Sequence, residues 1–451
     1  MPTGDGLLVR LHPPGGALNA TQARAVADAA RACGNGFLDV TGRGNLQIRG
    51  VRAESHAALV ERLAAVGLVE PIGHAGAEGE APPGPSLQGS GERVAPRASL
   101  WDARKVVGGD GGDGPIRLTV ISPLAGLDPA DRLDARALAE QIEAEARGIA
   151  GLPAKTCVAV DGGGALPLDG VEADLRVVVL GPRAAPLVAI GLGGGPRWIG
   201  TTTVPAAPLA IRAILARFAE RLRTGQAQTR RLKNLPAHRG EDLARSASLG
   251  PILAPPRREP APRAGVFTSS GEKAALLAAL PFGRCDADLL ERAAGWSERH
   301  GTGELRLSPW RGLALAGVAQ ADIPLLTAEA RRAGLILDPA DPRPAVFACP
   351  GRPACASATT DTHADAARLA DAAHRVLAAG ATVHVSGCPK GCAHPGSADL
   401  TLVGDDGAYQ VVRGGSPRDP GSVRLPLDAI LRRLSSMQAP QNLASAFEGS
   451  P

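Results

Sequence analysis

Aromatic side chains are scarce in this chain: six Phe, four Trp and one Tyr among 451 residues, or 2%. A surface that stacks unpaired bases on aromatic platforms is therefore not expected. The net charge of +4 is small for this length, which argues against a generally basic nucleic-acid-binding face. Long apolar runs are missing too. The longest candidate, residues 175–195, contains Arg176, Pro182 and Arg183 and is broken by glycines, so no membrane span is expected. The first residues, MPTGDGLLVRLHPPGG, lack the charged and apolar blocks of a signal peptide, and a cytoplasmic location is the expectation. Seven cysteines, an odd number in a long chain, do not read as a disulfide framework.

What remains is ordinary globular material, 44% apolar and 21% charged. With so few aromatics, Ala, Leu and Val must build the core. The length is too great for one core and fits roughly two to four domains. Most of the positive charge is Arg, which binds carboxylates in a bidentate, permanently charged way.

In chain order, residues 7–11 read as a strand, and Asn19 with Gln22 makes a capping-box start for an apolar-periodic helix over 21–32. Residues 37–51 alternate like a hairpin, and 57–66 read as a second helix, giving a β-α-β-β-α unit. The same pattern recurs at a constant offset of 267 residues: Gly34 corresponds to Gly301, Leu46 to Leu313, Ile48 to Leu315, Gly50 to Gly317 and Leu68 to Leu335. An ungapped match of this length is an internal duplication.

Each small unit precedes a larger α/β segment. Boundaries fall at 1–75 for the first small unit, 76–98 for a Gly/Pro/Glu-rich linker and 99–224 for the first α/β segment, with a helix over 134–146, strands near 157–160 and 176–180 and a helix over 207–223. A second linker, 225–263, leads to the second small unit at 264–340. The second α/β segment, 341–437, is followed by a tail at 438–451 expected to be disordered.

Four of the cysteines lie in two short stretches, ACPGRPACASATTDTH (348–363) and VHVSGCPKGCAHP (383–395). Cys349 and Cys355 form C-x5-C; Cys388 and Cys392 form C-x3-C. Four thiolates on tight Pro/Gly-rich turns suit a soft metal centre, an iron-sulfur cluster or zinc, although C-x5-C is wide for the usual zinc spacing. The C-x5-C and GCPKGC pair resembles the sulfite/nitrite reductase superfamily, in which the four cysteines bind a 4Fe-4S cluster and the last thiolate also ligates the iron of siroheme. The resemblance implies an α+β fold of duplicated sulfite/nitrite reductase-like architecture: two ferredoxin-like half-domains and two α/β half-domains related by pseudo-twofold symmetry around one tetrapyrrole. It also makes Cys392 the ligand facing that tetrapyrrole.

The two copies diverge at the hairpin. TGRGNLQIRG in the first carries Arg43, Asn45, Gln47 and Arg49, where the second has Trp310, Gly312, Ala314 and Ala316. Strand alternation would put Arg43, Asn45 and Gln47 on one face, a solvated face or a site. Thr41, Arg43 and Gln47 match the T-x-R-x-x-x-Q of the reductases, which supplies an Arg to the tetrapyrrole pocket. Arg117 in RLTVISPLAG and Lys155 in LPAKTCV resemble two further reductase motifs, with Leu118 replacing an Asn, Ala154 an Arg and Cys157 a second substrate lysine. GLGGGP (191–196) lacks the dinucleotide fingerprint and instead resembles a reductase glycine turn that lets backbone lie against the macrocycle. His363, His384 and His394, close to the cysteines, are candidate ligands of a second iron or ordinary structural histidines. Cys33, Cys157 and Cys285 read as small core residues.

With the anion-binding cations thinned, ACPGRPACASATTDT, VHVSGCPKGCAHP and LTLVGDDGAYQVVRGG (400–415) resemble one branch of the superfamily most closely, the precorrin-3B synthases of oxygen-dependent cobalamin biosynthesis. That resemblance implies an oxidoreductase, a monooxygenase that hydroxylates precorrin-3A at C20 with dioxygen and closes a γ-lactone. Its cofactors would be the 4Fe-4S cluster and a non-haem iron, and its electrons would come from an external NADH-linked reductase or ferredoxin. Arg43, Asn45, Gln47, Arg117 and Lys155 would line the substrate site. The alternatives are a siroheme-dependent nitrite or sulfite reductase and a non-enzymatic Fe-S electron carrier or zinc scaffold.

Overall fold

The computed structural model describes residues 2–69, 117–193, 197–227, 229–236, 239–269, 271–394, 396–437 and 443–447. The expected linker at 76–98 and the last residues of the GLGGGP turn lie outside them.

The first unit is built as its alternating and helical periodicities dictate. Strand Gly6–Leu11 leads to helix Ala20–Cys33, hairpin strands Phe37–Val40 and Leu46–Val51, and helix His56–Ala64. The capping box closes as expected: the Gln22 amide donates to Asn19 Oδ1 at 2.8 Å and the Asn19 amide to Gln22 Oε1 at 3.1 Å. The second unit repeats it with strand Lys273–Ala279, helix Ala287–His300, strands Glu304–Ser308 and Gly312–Ala319, and helix Ile323–Arg332. Both helices start 267 residues after their counterparts. Each long helix ends at a glycine, Gly34 or Gly301, where a Cβ would collide with the carbonyl of Arg49 or Ala316.

The two units exchange strands. Ala17–Asn19 of the first pairs antiparallel with Glu304–Ser308 of the second, and Arg284–Asp286 of the second pairs with Phe37–Val40 of the first. Each five-stranded sheet is thus completed by the other copy. The helices Ala20–Cys33 and Ala287–His300 face each other, and one core joins Leu11, Leu46 and Ile48 to Leu276, Leu313 and Leu315, all fully buried. Neither copy buries its own apolar face alone. Cys33 and Cys285 belong to this core.

The two α/β units share a plan. In the first, Thr119–Ile121, Val158–Asp161 and Leu175–Leu180 run parallel, then Leu187–Leu192 and Arg197–Thr203 return antiparallel. In the second, Val346–Ala348, Val383–Ser386 and Ala398–Asp405 run parallel, followed by antiparallel Ala408–Gly415 and Val423–Leu425. Helices Ala135–Ala146 and Ala207–Arg223 cover the first sheet, and Thr362–Ala372 and Leu427–Ser435 the second.

Two expectations about connections require correction. Residues 225–263 are not a bare linker: helix Gly240–Ser246 lies within them, and Leu232, Leu235 and Leu243 are buried in the first α/β core. The tail at 438–451 contains a short turn, Leu443–Phe447, whose Leu443 and Phe447 side chains enter the second α/β core. The signal was the spaced leucines of the first segment and the Leu443/Phe447 pair, four residues apart, of the second.

Candidate functional site

All four units meet around one cavity of about 860 Å³, toward the upper end of small-molecule sites. The first ferredoxin-like unit contributes Arg10, Thr41, Arg43, Asn45 and Gln47; the first α/β unit contributes Lys155, Glu172, Arg176 and Lys233. The opposite walls are Phe282, Trp310 and Arg311 of the second ferredoxin-like unit and Phe347, Cys392 and His394 of the second α/β unit. Equivalent hairpin turns of the two copies therefore face the same space, one polar around Arg43 and one apolar around Trp310.

The charge of this lining is lopsided. Arg10, Arg43, Lys155, Arg176, Lys233, Arg263 and Arg311 stand against the single carboxylate of Glu172 among the described lining residues. Several of these cations are committed. Lys233 pairs with Glu172 at 2.7 Å; Arg176 donates to the carbonyls of Leu168 and Val171 at 2.8 and 2.7 Å; Arg263 donates to the Pro344 carbonyl and Arg311 to that of Ala393. The exposed head groups of Arg10 and Lys155 make no ion pair among the described residues. Arg43 uses Nη2 to donate to the Lys155 carbonyl at 2.7 Å, which ties the hairpin to the loop carrying Lys155. A cluster of unneutralised cations over a half-enclosed cavity favours a ligand with several carboxylates.

Arg43, Asn45, Gln47 and Lys155 line the same cavity, and Asn45 Oδ1 is buried without a partner among the described residues. Arg117 departs from the expectation of a carboxylate clamp. Its guanidinium donates to the carbonyls of Thr119, Pro13 and Gly44 at 3.1, 3.3 and 3.0 Å and to that of Arg43. Burial lowers its pKa to about 10, leaving it charged at neutral pH. Arg117 does not line the cavity; it fixes the turns behind Arg43. The described glycines of GLGGGP also do other work: Gly191 makes room for the Trp198 ring and Gly193 for the Ala173 carbonyl. Cys157 sits in a small core with Val120, Ala159 and Val171, and burial raises its thiol pKa.

The cysteine stretches are shaped by close backbone approaches. Cys349 is buried; its Sγ accepts from the Gly387 amide at 3.1 Å, and the Thr362 hydroxyl donates to its carbonyl at 2.5 Å. A Cβ on Gly387 would stand 2.5 Å from the Ala358 side chain, and Gly391 takes a left-handed φ of 63° against Pro417. Cys355 is held from across the molecule: a Cβ on Gly4 would reach its backbone at 2.8 Å, and Arg49, paired with Asp5 and Asp39, donates to the Ala354 carbonyl at 2.8 Å. Partial desolvation raises the Cys392 thiol pKa; Lys390 opposes the shift, and Cys349, Cys388 and Cys355 add to it. The four thiols are thus electrostatic neighbours. Of the four, Cys392 is the one that lines the cavity.

This donor set fits an iron-sulfur cluster: soft thiolates from two rigid turns, one already accepting a backbone N–H. Among the described residues no three His, Cys, Asp or Glu side chains gather closely enough to hold a single metal ion. His384 and His394 meet edge-on with centroids 5.8 Å apart, but no third ligating side chain joins them among the described residues. His394 stacks on Phe347 with centroids 4.4 Å apart and His363 meets Phe282 edge-on at 5.9 Å. His384 is fully buried with both ring nitrogens unpartnered, and burial, then His394 and Arg311, lower its pKa to about 3. Sequence reasoning missed the cavity cations outside the matched motifs and the paired replacements Phe282 and Arg311. At the 267-residue offset these stand where the first copy has Gly15 and Gly44, so their signal was present in the repeat.

Comparison with known proteins agrees with this arrangement. The nitrite/sulfite reductase ferredoxin-like half domain matches residues 1–66 and again 270–333. A protein named precorrin-3B synthase, from Sinorhizobium sp., is 31% identical over 424 residues, 92% of this chain and 81% of that protein. A ferredoxin-nitrite reductase from Synechococcus elongatus is 27% identical over 88% of this chain and 76% of its own length. The structure of the NirA protein of Mycobacterium tuberculosis superposes with a TM-score of 0.69 at 21% identity, covering 98% of this chain and 84% of that one. Among the described residues no helix is long and apolar enough to cross a membrane.

Proposed function

The chain belongs to the precorrin-3B synthase family, within the nitrite/sulfite reductase superfamily, and from that premise we propose that it hydroxylates precorrin-3A at C20 with dioxygen and closes a γ-lactone from a ring A acetate. The observation that carries this reading is the cavity, with seven cations against one carboxylate. A precorrin is a flat macrocycle fringed with acetate and propionate groups. Such a ligand needs an apolar slot for its ring and cations at its rim. Trp310, Phe282 and Phe347 supply the first; Arg10, Arg43 and Lys155, which make no ion pair among the described residues, supply the second.

When bound, a 4Fe-4S cluster held by Cys349, Cys355, Cys388 and Cys392 would supply single electrons from an external NADH-linked reductase or ferredoxin, whereas the non-haem iron that the resemblance implies finds no ligand set among the described residues. One oxygen atom enters at C20 as hydroxyl, the other leaves as water, and two electrons and two protons are consumed. Arg43 and Lys155, joined through the Lys155 carbonyl, hold neighbouring carboxylates and so fix the ring in its plane. Asn45 lines the cavity beside them. His384 stays neutral across the physiological range.

A siroheme-dependent nitrite or sulfite reductase is the second reading, favoured by the exposed Lys155 head group and the 27% identity to a nitrite reductase. Against it, Ala154 and the buried Cys157 leave the small-anion site short of cations. Anaerobic purification with iron, sulfide and tetrapyrrole analysis separates the two. A broad iron-sulfur band without haem bands, followed by incorporation of one atom from labelled dioxygen into precorrin-3A, supports the synthase. Sharp siroheme bands with nitrite or sulfite turnover would replace it by the reductase.

A further inference from the structure

The duplication supplies an internal control for backbone strain. In the first copy, two turns beside the cavity adopt left-handed backbone at Gly15 (φ 57°) and Gly44 (φ 60°). Their counterparts at the 267-residue offset keep that conformation with side chains in place: Phe282 (φ 53°) and Arg311 (φ 61°). Glycine adopts such a φ freely, whereas a side chain there is strained. A strained residue persists where its surroundings over-determine it, which points from the outlier to a role.

Both side chains line the cavity and both brace a cysteine stretch. The Phe282 ring meets His363 edge-on at 5.9 Å, next to Thr362, whose hydroxyl holds the Cys349 carbonyl. The Arg311 side chain crosses Gly283, where an added Cβ would stand 3.0 Å from Arg311 Cβ, and its guanidinium donates to the carbonyl of Ala393, the residue after Cys392. Arg311 also interacts electrostatically with Cys349 and His384. Beside the first copy the equivalent space over Gly16 is filled by Arg117, whose guanidinium donates to backbone carbonyls. Over Gly283 the cation is Arg311, at the junction of cysteines and cavity.

We propose that Arg311 is a positioning residue that locks the Cys392 turn against the ligand cavity and holds a positive charge between the thiolates and the bound tetrapyrrole, with Phe282 as its apolar companion on the Cys349 side. This rests on the cluster part of the reading above and not on the identity of the macrocycle. A fixed cation beside the thiolates stabilises the additional electron of the reduced cluster, so its removal disfavours reduction.

The experiment is a redox titration of the anaerobically reconstituted full chain, with iron and sulfide content, electron paramagnetic resonance of the reduced form and thermal unfolding. Arg311→Gly restores the residue of the first copy and relieves the strain. Arg311→Gln keeps length and a donor for the Ala393 carbonyl without the charge, and it decides the matter if the glycine variant fails to fold. Arg311→Lys keeps the charge. The expected result is a full cluster in each folded variant, with the reduction equilibrium of Gly and Gln shifted at least tenfold toward the oxidised form, 59 mV for one electron, and largely restored by Lys. Folded Gly or Gln variants with parental potential and resonance spectrum would overturn the role of Arg311 alone. A parent chain that reconstitutes no cluster would overturn the cluster reading and this inference with it.

Discussion

Replacement of Arg43 by Ala tests whether the cavity binds through its cations. Arg43 lies on the hairpin turn, half-buried, with Nη2 on the Lys155 carbonyl at 2.7 Å and its other guanidinium donors without a partner among the described residues. A charge-assisted bond from a guanidinium to a carboxylate is worth about 1.5–3 kcal/mol, so Arg43→Ala should weaken binding of an anionic tetrapyrrole about 10–150-fold. The loss should be at the upper end, because the Lys155 loop loses its tie to the hairpin as well. Fold stability should change by less than about 1 kcal/mol, since the contact removed is partly exposed. The assay is an absorbance or fluorescence titration with precorrin-3A, or with uroporphyrin as a probe, at low and high salt. The variant should also show a shallower salt dependence, having one cation fewer. Unchanged affinity with unchanged salt dependence would refute the carboxylate-clamp argument and return Arg43 to the status of a solvated turn residue.

Arg117→Met should behave differently, lowering stability by about 2–4 kcal/mol because several carbonyls lose a charged donor; thermal unfolding checks this, and a loss of tetrapyrrole affinity without loss of stability would contradict the bracing role. Asp131 is a pH-sensitive carboxyl: burial, reinforced by Asp128, Asp161 and Asp134 against the Gly126 amide, raises its pKa from 3.8 to about 7. Its contribution to stability is present below about pH 4 and is lost as pH rises to about 7, so Asp131→Asn should gain on the parent between pH 4 and pH 8. The gain should be about 1–2 kcal/mol, below the ceiling of about 4 kcal/mol set by the shift, because solvent screens part of it; denaturant unfolding at the two pH values gives the answer, and parallel curves would refute it. Gly34→Ala and Gly301→Ala should each cost about 1–3 kcal/mol by overpacking against the Arg49 and Ala316 carbonyls, and similar losses in thermal unfolding would reflect the pseudo-symmetry.

The sequence by itself determined the repeat, because the offset of 267 residues joins glycines and apolar positions whose local geometry is the same in both copies. It determined the capping of the first helix and the C-x5-C and C-x3-C spacing of the cysteines, features written within a few residues of one another; Arg43 and Asn45 instead reach the cavity from the turn between the hairpin strands, where strand alternation does not apply. Only the tertiary structure decided what depends on contacts between distant segments. The strand exchange between copies could not be read, since either short strand would pair as well with its own unit by local pattern. Arg117 and Arg43 are equally basic in sequence, and what separates them is that backbone carbonyls surround one guanidinium while the other meets open cavity. The strain at Phe282 and Arg311 is likewise a property of backbone torsions that the chain specifies only through its fold. Short-range chemistry is encoded where it occurs; the neutralisation, burial or exposure of a charge is set by whatever the folded chain places beside it.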